Sequence, residues 1–441
     1  MASSICIDWF LKKNWSLLFK LKNIFLYPTK SNLLYVLSVI IFKLILEFTY
    51  WTVINPYYQY MGFYFDPTFS KYIESWILYL CLVYFCPKRL TKPSDLFLLI
   101  LFLNIITPIL SFYALANKSR YFLYISLFCF VLVSLFRNGR PIRLKTLKEG
   151  RAIVIFICIT FAFGMSIILL YNVGLESFNL DLSKVGHFRE LNYDIIAVGL
   201  IGYLSTWCFN VIGPTLLVFF LWKKAYFCSF GILMVQTLWF GLTGYKFVLF
   251  SPLLILFVWF FFRNNSSFNY ILLGLIILII TCLVFFFVFD LIRPVSTLVR
   301  RVFFVPAKLS FAYYEFFNLN EIILWANSKI SFGLIAYPYA ISPAKLIGEY
   351  TGTGAHANNS FISTGYMHAG IIGVIVYGVI VGLLYRFIDS ISLNGLPLWC
   401  SIGIIIVPVY SLTISSDLPV AILTKGLGFA VILLFLIRKI R

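Results

Sequence analysis

Two histidines twelve positions apart, His356 and His368, lie in the stretch "GTGAHANNSFISTGYMHAG" together with Asn358 and Asn359. Imidazole is the side chain best suited to accept a proton near neutral pH. A carboxamide offers a donor and an acceptor to a hydroxyl-bearing ligand. His356 follows Gly352 and Gly354, whose missing side chains let the backbone approach a substrate closely, so it is the first choice as proton acceptor. His368 stands at the mouth of an apolar run, where structural packing competes, and is the second choice. The plain alternative for both is an exposed or capping histidine. Upstream, "DLIRPVSTLVRRVFFVPAKLSFAYYEFF" sets Arg293 seven residues before Arg300 and Arg301 seven before Lys308, which puts each pair on one face of an α-helix. Arginine forks pair bidentately with phosphate, while Tyr313, Tyr314 and the neighbouring phenylalanines offer apolar faces to sugar rings. The same pattern also describes an interfacial helix whose aromatics sit among lipid headgroups.

The elements that must position these residues follow from composition. Of 441 residues, 61% are hydrophobic, 20% aromatic and only 12% charged. A mean hydropathy of +0.96 excludes a soluble domain, which must show water a largely polar surface. An all-α, polytopic integral membrane protein is predicted. Crossing about 30 Å of hydrocarbon takes roughly 20 helical residues. Apolar runs that approach this length cover Leu33–Ile54, Tyr72–Cys86, Asp95–Ala114, Tyr121–Phe136, Ala152–Tyr171 and Ile195–Trp222. They continue at Tyr226–Leu242, Lys246–Phe262, Tyr270–Phe289, Gly370–Tyr385, Pro397–Ile414 and Leu418–Ile437, about twelve transmembrane helices in all. The organisation expected is an amphipathic arm over 1–32, spans 1–9 over 33–289, a large outer loop over 290–369, spans 10–12 over 370–437 and a tail over 438–441. Gly213-Pro214 should kink the sixth span, and Gly378 and Gly382, spaced GxxxG, should let the tenth pack closely on a neighbour. The short run "SFGLIAYPYAIS" fits a re-entrant or surface-lying segment.

Orientation follows from the basic residues. Alternate loops hold 21 Lys and Arg on one side, including the N-terminal arm and the block "RNGRPIRLKTLKEGR"; the other side holds 12, with 11 of the 16 acidic residues. The positive-inside rule makes the first side cytoplasmic, with both termini there. The formal charge of +19 is then largely topological bias, and no nucleic-acid partner is expected. The nine cysteines show no metal-ligand spacing and read as small buried hydrophobes. The arm lacks an uninterrupted apolar region and a cleavage site, so it is not a signal peptide. Outward loops carry no D-x-D pair or carboxylate cluster, so neither a bound metal nor a cofactor is expected. No P-loop is present. Charges inside the spans are few, namely Lys43 and Glu47 at i,i+4, and Lys425.

The segment "RRVFFVPAKLSFAYYEFF" followed by "NNSFISTGYMHAGIIGVIVYGVIVGLLYRFID" resembles the Wzy-type O-antigen polymerases, the oligosaccharide repeat-unit polymerases of Gram-negative inner membranes. The likeness runs from about Arg293 to Asp389, with weaker echoes at "NLDLSKVGHFREL" and "LTGYK". It implies a metal-independent glycosyl transfer at the periplasmic face. A growing glycan moves from undecaprenyl diphosphate to the sugar of an incoming lipid-linked repeat unit. Arg300, Arg301, Arg189 or Arg293 would stabilise the departing diphosphate, and His356 or His368 would accept the proton of the attacking hydroxyl. A chain-length regulator and a flippase of the same pathway are the protein partners implied. An Arg followed by ten residues and Gly, found in the periplasmic loops of some members, does not occur after Arg189, Arg293, Arg300 or Arg301; nine residues separate Arg189 from Gly199. Two rival functions share the outline: an O-antigen ligase attaching glycan to lipid A core, and a lipid-linked oligosaccharide flippase.

The charge asymmetry yields a topological test. Single cysteines introduced at Ser183 and Ser328 should react with a membrane-impermeant thiol reagent in cells with a permeabilised outer membrane, and one at Thr146 should not. The reverse pattern would invert the orientation.

Overall fold

A computed structural model describes residues 30–142, 149–181, 199–328, 331–392 and 395–438. Most of the N-terminal arm, much of the basic block and Arg189 lie outside the described residues. The described chain is all-helical, with 77% of residues in helices and no β-strand. Its helices are α1 (Asn32–Met61), α3 (Pro93–Leu115), α4 (Arg120–Arg137), α5 (Gly150–Val173), α6 (Gly199–Trp222), α7 (Tyr226–Thr243), α9 (Asn269–Phe289) and α12 (Phe361–Ser392). These eight are long and apolar enough to cross a membrane. Shorter apolar helices are α8 (Lys246–Phe262), α13 (Leu398–Ile414) and α15 (Leu427–Ile437). The remainder are α2 (Phe69–Val83), α10 (Val305–Phe317), α11 (Pro343–Tyr350) and α14 (Leu418–Leu423). Rows of apolar side chains face outward, including Phe156 and Phe163 on α5, Phe260 on α8 and Ile277 on α9. Such surface is untenable in water and natural in lipid. The chain is a helical membrane protein.

Two compact units divide the chain. The first holds residues up to Leu90, Thr107–Lys118 and Ser267–Val305. Within it Lys43 and Glu47 form the i,i+4 ion pair expected from their spacing, with Lys43 fully buried. The Lys43 ammonium lies 4.1 Å from the centre of the Trp76 ring, and Tyr72 donates to Glu47 Oε2 at 3.2 Å. Both charges are thus neutralised locally, the condition under which a low-dielectric interior tolerates them. A ten-residue π-helical stretch, Val295–Phe304, closes this unit, seating Phe303 on Phe42 and Phe304 on Tyr50.

The second unit holds Thr91–Ile106, Ser119–Ser266 and Pro306–Arg441. Here α12 lies along α4 at the expected glycines: a Cβ on Gly378 would meet Cys129 Sγ at 3.0 Å, and one on Gly382 would meet Phe136 Cβ at 2.7 Å. At one end of this pair a buried polar cluster ties three segments together. Arg137 bonds Asp95 Oδ1 at 2.7 Å, Asp389 accepts from Ser94 N–H at 2.9 Å, and Lys92 lies 3.1 Å from Asp389. Each of these segments belongs to the set read as cytoplasmic, so residues assigned to one side do meet in space.

Three helices differ from the sequence reading. In α6 the chain widens into a π turn, Cys208–Ile212, just before Gly213-Pro214, which absorbs the proline without its amide hydrogen. The apolar run to Ile437 is two helices, α14 and α15, parted at Gly426, whose φ of +84° suits glycine. The outer loop ends earlier than Ala369: α12 begins at Phe361 and breaks at Ala369 and Gly370, where φ reaches +57°. Across that break Gly365 and Gly373 touch so closely that a Cβ on Gly373 would lie 2.0 Å from the Gly365 carbonyl oxygen. Residues 331–342 form no regular helix, and Phe332 and Leu334 are exposed.

The α4–α12 contact should fail on overpacking. Gly382→Leu should lower stability by about 1–3 kcal/mol, read as a lower unfolding midpoint in detergent. Gly164→Leu on α5, where an added Cβ meets nothing within 4 Å, should leave the midpoint unchanged.

Candidate functional site

The candidate residues of the second unit are carried by α10, α11 and the start of α12. Asn359 is the junction: its amide donates to the Pro306 carbonyl at 3.2 Å and to Ser310 Oγ and Ser363 Oγ at 3.0 Å each. Ser363 in turn donates to Ser310 at 3.1 Å. Asn359 is buried, while Asn358 beside it is exposed. The structure therefore gives the first a holding role and leaves the second available to a ligand. Asn359 Oδ1 and Ser360 Oγ are buried without a partner among the described residues, so no Ser360 side-chain cap forms at the start of α12.

A second set of bonds pins the loop that carries His356. Gly348 on α11 accepts from Thr353 and Gly354 N–H at 3.0 and 3.1 Å, and Lys345 donates to the Gly354 carbonyl at 2.8 Å. A Cβ on Gly348 would sit 1.8 Å from the Ala355 carbonyl oxygen, so only glycine permits this wrap. Ala357 donates to the Ala344 carbonyl at 2.8 Å and accepts from the Tyr313 hydroxyl at 3.0 Å. Between these anchors His356 is exposed and makes no hydrogen bond to any described residue. A fixed backbone thus carries a free imidazole.

His368 has the opposite environment. It is fully buried, stacked on Trp325 with ring centres 5.0 Å apart. Its Nδ1 accepts from the Trp325 backbone N–H at 3.1 Å. That bond assigns the ring proton to Nε2, which donates to Asp417 Oδ2 at 2.9 Å. Asp417 Oδ1 accepts from Tyr377 at 2.9 Å, and the Tyr377 oxygen accepts from Trp325 Nε1 at 2.8 Å. Both imidazole nitrogens are occupied, and the closed ring of partners fixes residues 323–325, whose Leu324 and Trp325 adopt positive φ. His368 has no free lone pair with which to accept a substrate proton.

No family model, curated protein or solved structure matches the chain. Its own geometry carries the functional argument.

Tyr313 and Tyr314 divide as the asparagines do. Tyr313 is buried and spends its hydroxyl on Ala357. Tyr314 is half-buried, stacked on Phe122 at 5.4 Å and edge-on to Tyr366 at 5.2 Å. Arg293, Arg300 and Arg301 belong to the first unit, while Arg189 lies outside the described residues. Arg293 and Arg301 are exposed and have no hydrogen bond to a described residue. Arg300 lies 4.1 Å from the centre of the Tyr58 ring and donates to Ser296 Oγ at 3.0 Å. Burial pulls the Arg300 pKa below its ordinary value, opposed by Tyr58 and reinforced by Arg301; guanidinium stays charged regardless. The expected single face for Arg293 and Arg300 does not form. A π-helix turns once in about 4.4 residues, so positions seven apart no longer align.

Sequence reasoning missed Asp417, Tyr377, Trp325, Gly348 and the Ser310–Ser363 pair. Asp417 had a signal, since it is a lone carboxylate between two apolar runs. The others had none at the level of spacing.

The two asparagines should separate in stability. Asn359→Leu removes donors that three buried oxygens use and should cost about 1–3 kcal/mol, with faster proteolysis across residues 351–360. Asn358→Leu should leave the unfolding midpoint within about 0.5 kcal/mol of wild type.

Proposed function

We propose that the protein is an O-antigen polymerase of the Wzy type, transferring a growing glycan from undecaprenyl diphosphate to an incoming lipid-linked repeat unit. The observation that carries this reading is His356, an unengaged imidazole on a loop anchored through Gly348, Ala357 and Tyr313. Preorganisation with a free lone pair is what a general base needs. His356 takes the proton of the attacking sugar hydroxyl, and Asn358 beside it hydrogen-bonds neighbouring hydroxyls. Arg300, Arg301, Arg293 and Arg189 supply the positive charge for the departing diphosphate, in a reaction that uses no metal. His368 serves instead as the buried post that holds residues 323–325.

The reading places the protein in a bacterial inner membrane with about twelve spans, both termini cytoplasmic and the loop that follows α9 periplasmic. Four of those spans fall on α2, α8, α13 and the broken α14–α15 run, each shorter than a straight crossing requires, which suits local thinning of the bilayer. A chain-length regulator and a flippase of the same pathway are its proposed partners.

Deleting the gene should leave lipopolysaccharide with one repeat unit on core and no ladder, whereas core lacking any repeat would indicate a ligase or flippase. At matched expression, His356→Ala and His356→Gln should each abolish the ladder, because an amide retains hydrogen bonding but cannot accept the proton. A normal ladder in His356→Gln would remove the general-base role.

A further inference from the structure

The second unit contains a cavity of 1030 Å³ that the sequence motifs did not point to. Its volume is at the upper end of the about 300–1,000 Å³ usual for small-molecule sites. Apolar surface comes from Phe209, Phe247 and Val248, and polar groups from Thr206 and Tyr245. Lys425 also lines it. By the reading of the loops, these residues lie at the outward ends of α6, α8, α13 and α14.

Lys425 is held where a helix is interrupted. Its N–H and that of Thr424 both bond the Val420 carbonyl at 2.9 Å, and its own carbonyl accepts from Asn210 at 3.3 Å. Gly426 then turns the chain with φ of +84°, packed so tightly that a Cβ there would lie 2.8 Å from Val211. Asn210 belongs to the π turn of α6. Two irregular backbone segments thus face one cavity, which is where a membrane protein tolerates them. Lys43, buried within α1, is neutralised by Glu47. The Lys425 ammonium has neither a carboxylate nor a hydrogen-bond acceptor among the described residues. A cation in such surroundings is costly unless the occupant brings the counter-charge.

We propose that this cavity binds a phosphate or diphosphate ester on a long apolar chain, with Lys425 pairing the phosphoryl oxygens and Phe209, Phe247 and Val248 covering the start of the tail. The choice of a lipid phosphate rests on the reading that the protein handles lipid-linked diphosphates, whereas the cavity and its lysine do not depend on it.

The test uses the full chain in neutral phosphatidylcholine nanodiscs, titrated calorimetrically with farnesyl diphosphate, inorganic pyrophosphate and farnesol. Wild type should bind farnesyl diphosphate at least about tenfold more tightly than either of the others. Lys425→Gln should lose that advantage by about tenfold and Lys425→Arg should keep it. Thr206→Phe, which leaves the lysine in place and fills the cavity, should also abolish binding, so the test survives a misfolded Lys425→Gln. Equal binding of farnesol and farnesyl diphosphate would overturn the charge pairing. Pyrophosphate binding as tightly as farnesyl diphosphate would overturn the lipid source, and a folded Lys425→Gln or Thr206→Phe with wild-type affinity would overturn the site.

Discussion

A buried carboxamide whose N–H groups went unanswered would cost more than its packing returns, and Asn359 meets that constraint with three oxygens drawn from two helices. The consequence reaches well beyond one side chain. Because Pro306 and Ser310 lie on α10 and Ser363 on α12, the amide sets the distance between the two helices that frame the candidate site. Tyr313, one turn along α10 from Ser310, is thereby placed to reach Ala357, and the loop bearing His356 inherits its position from that bond. Gly348 completes the frame from the other side, by allowing two backbones to approach where any side chain would collide.

The same economy governs charge. Lys43 with Glu47 and Arg137 with Asp95 are paired in the interior of their respective units, and His368 holds its proton toward Asp417 while accepting another from Trp325. Each of these groups is committed to structure. Groups without a hydrogen-bond partner among the described residues are then informative, among them the exposed His356, the exposed Arg293 and Arg301, and the Lys425 ammonium on its cavity wall. Function in a polytopic membrane protein has to use groups of this kind, since the bilayer supplies neither water nor counter-ions to those that face it.

Much of the fold was legible because an unbroken apolar run of roughly 20 residues is what a helix needs to cross lipid. The ion pair of Lys43 and Glu47 and the close seat of Gly378 and Gly382 were both readable from spacing alone, since i,i+4 neighbours and missing Cβ atoms act locally. The breaks were not. Gly426 sits inside a run that hydropathy reads as continuous and packs against Val211 and Trp207, far away in sequence, while Gly370, read as the start of a span, is a break inside a helix that begins at Phe361. The face shared by Arg293 and Arg300 was misjudged because spacing arguments assume an α-helix and the chain widens there into a π-helix. At the candidate site, residue type identified both histidines and their flanking residues ranked His356 first, yet nothing local named the partners that lock His368, Trp325 and Asp417. Those partners lie 43 and 49 positions away.

The account makes His356 a base and the chain a catalyst that joins lipid-linked units, and reconstitution addresses this directly. Purified protein in liposomes, supplied with a single species of undecaprenyl diphosphate-linked repeat unit, is followed by mass spectrometry of the lipid-linked products. The account predicts glycans of two and more repeats on one lipid, with one undecaprenyl diphosphate released for every bond formed. Repeat units that remain single while moving unaltered across the bilayer, or that lengthen only when lipid A core is present, would contradict it.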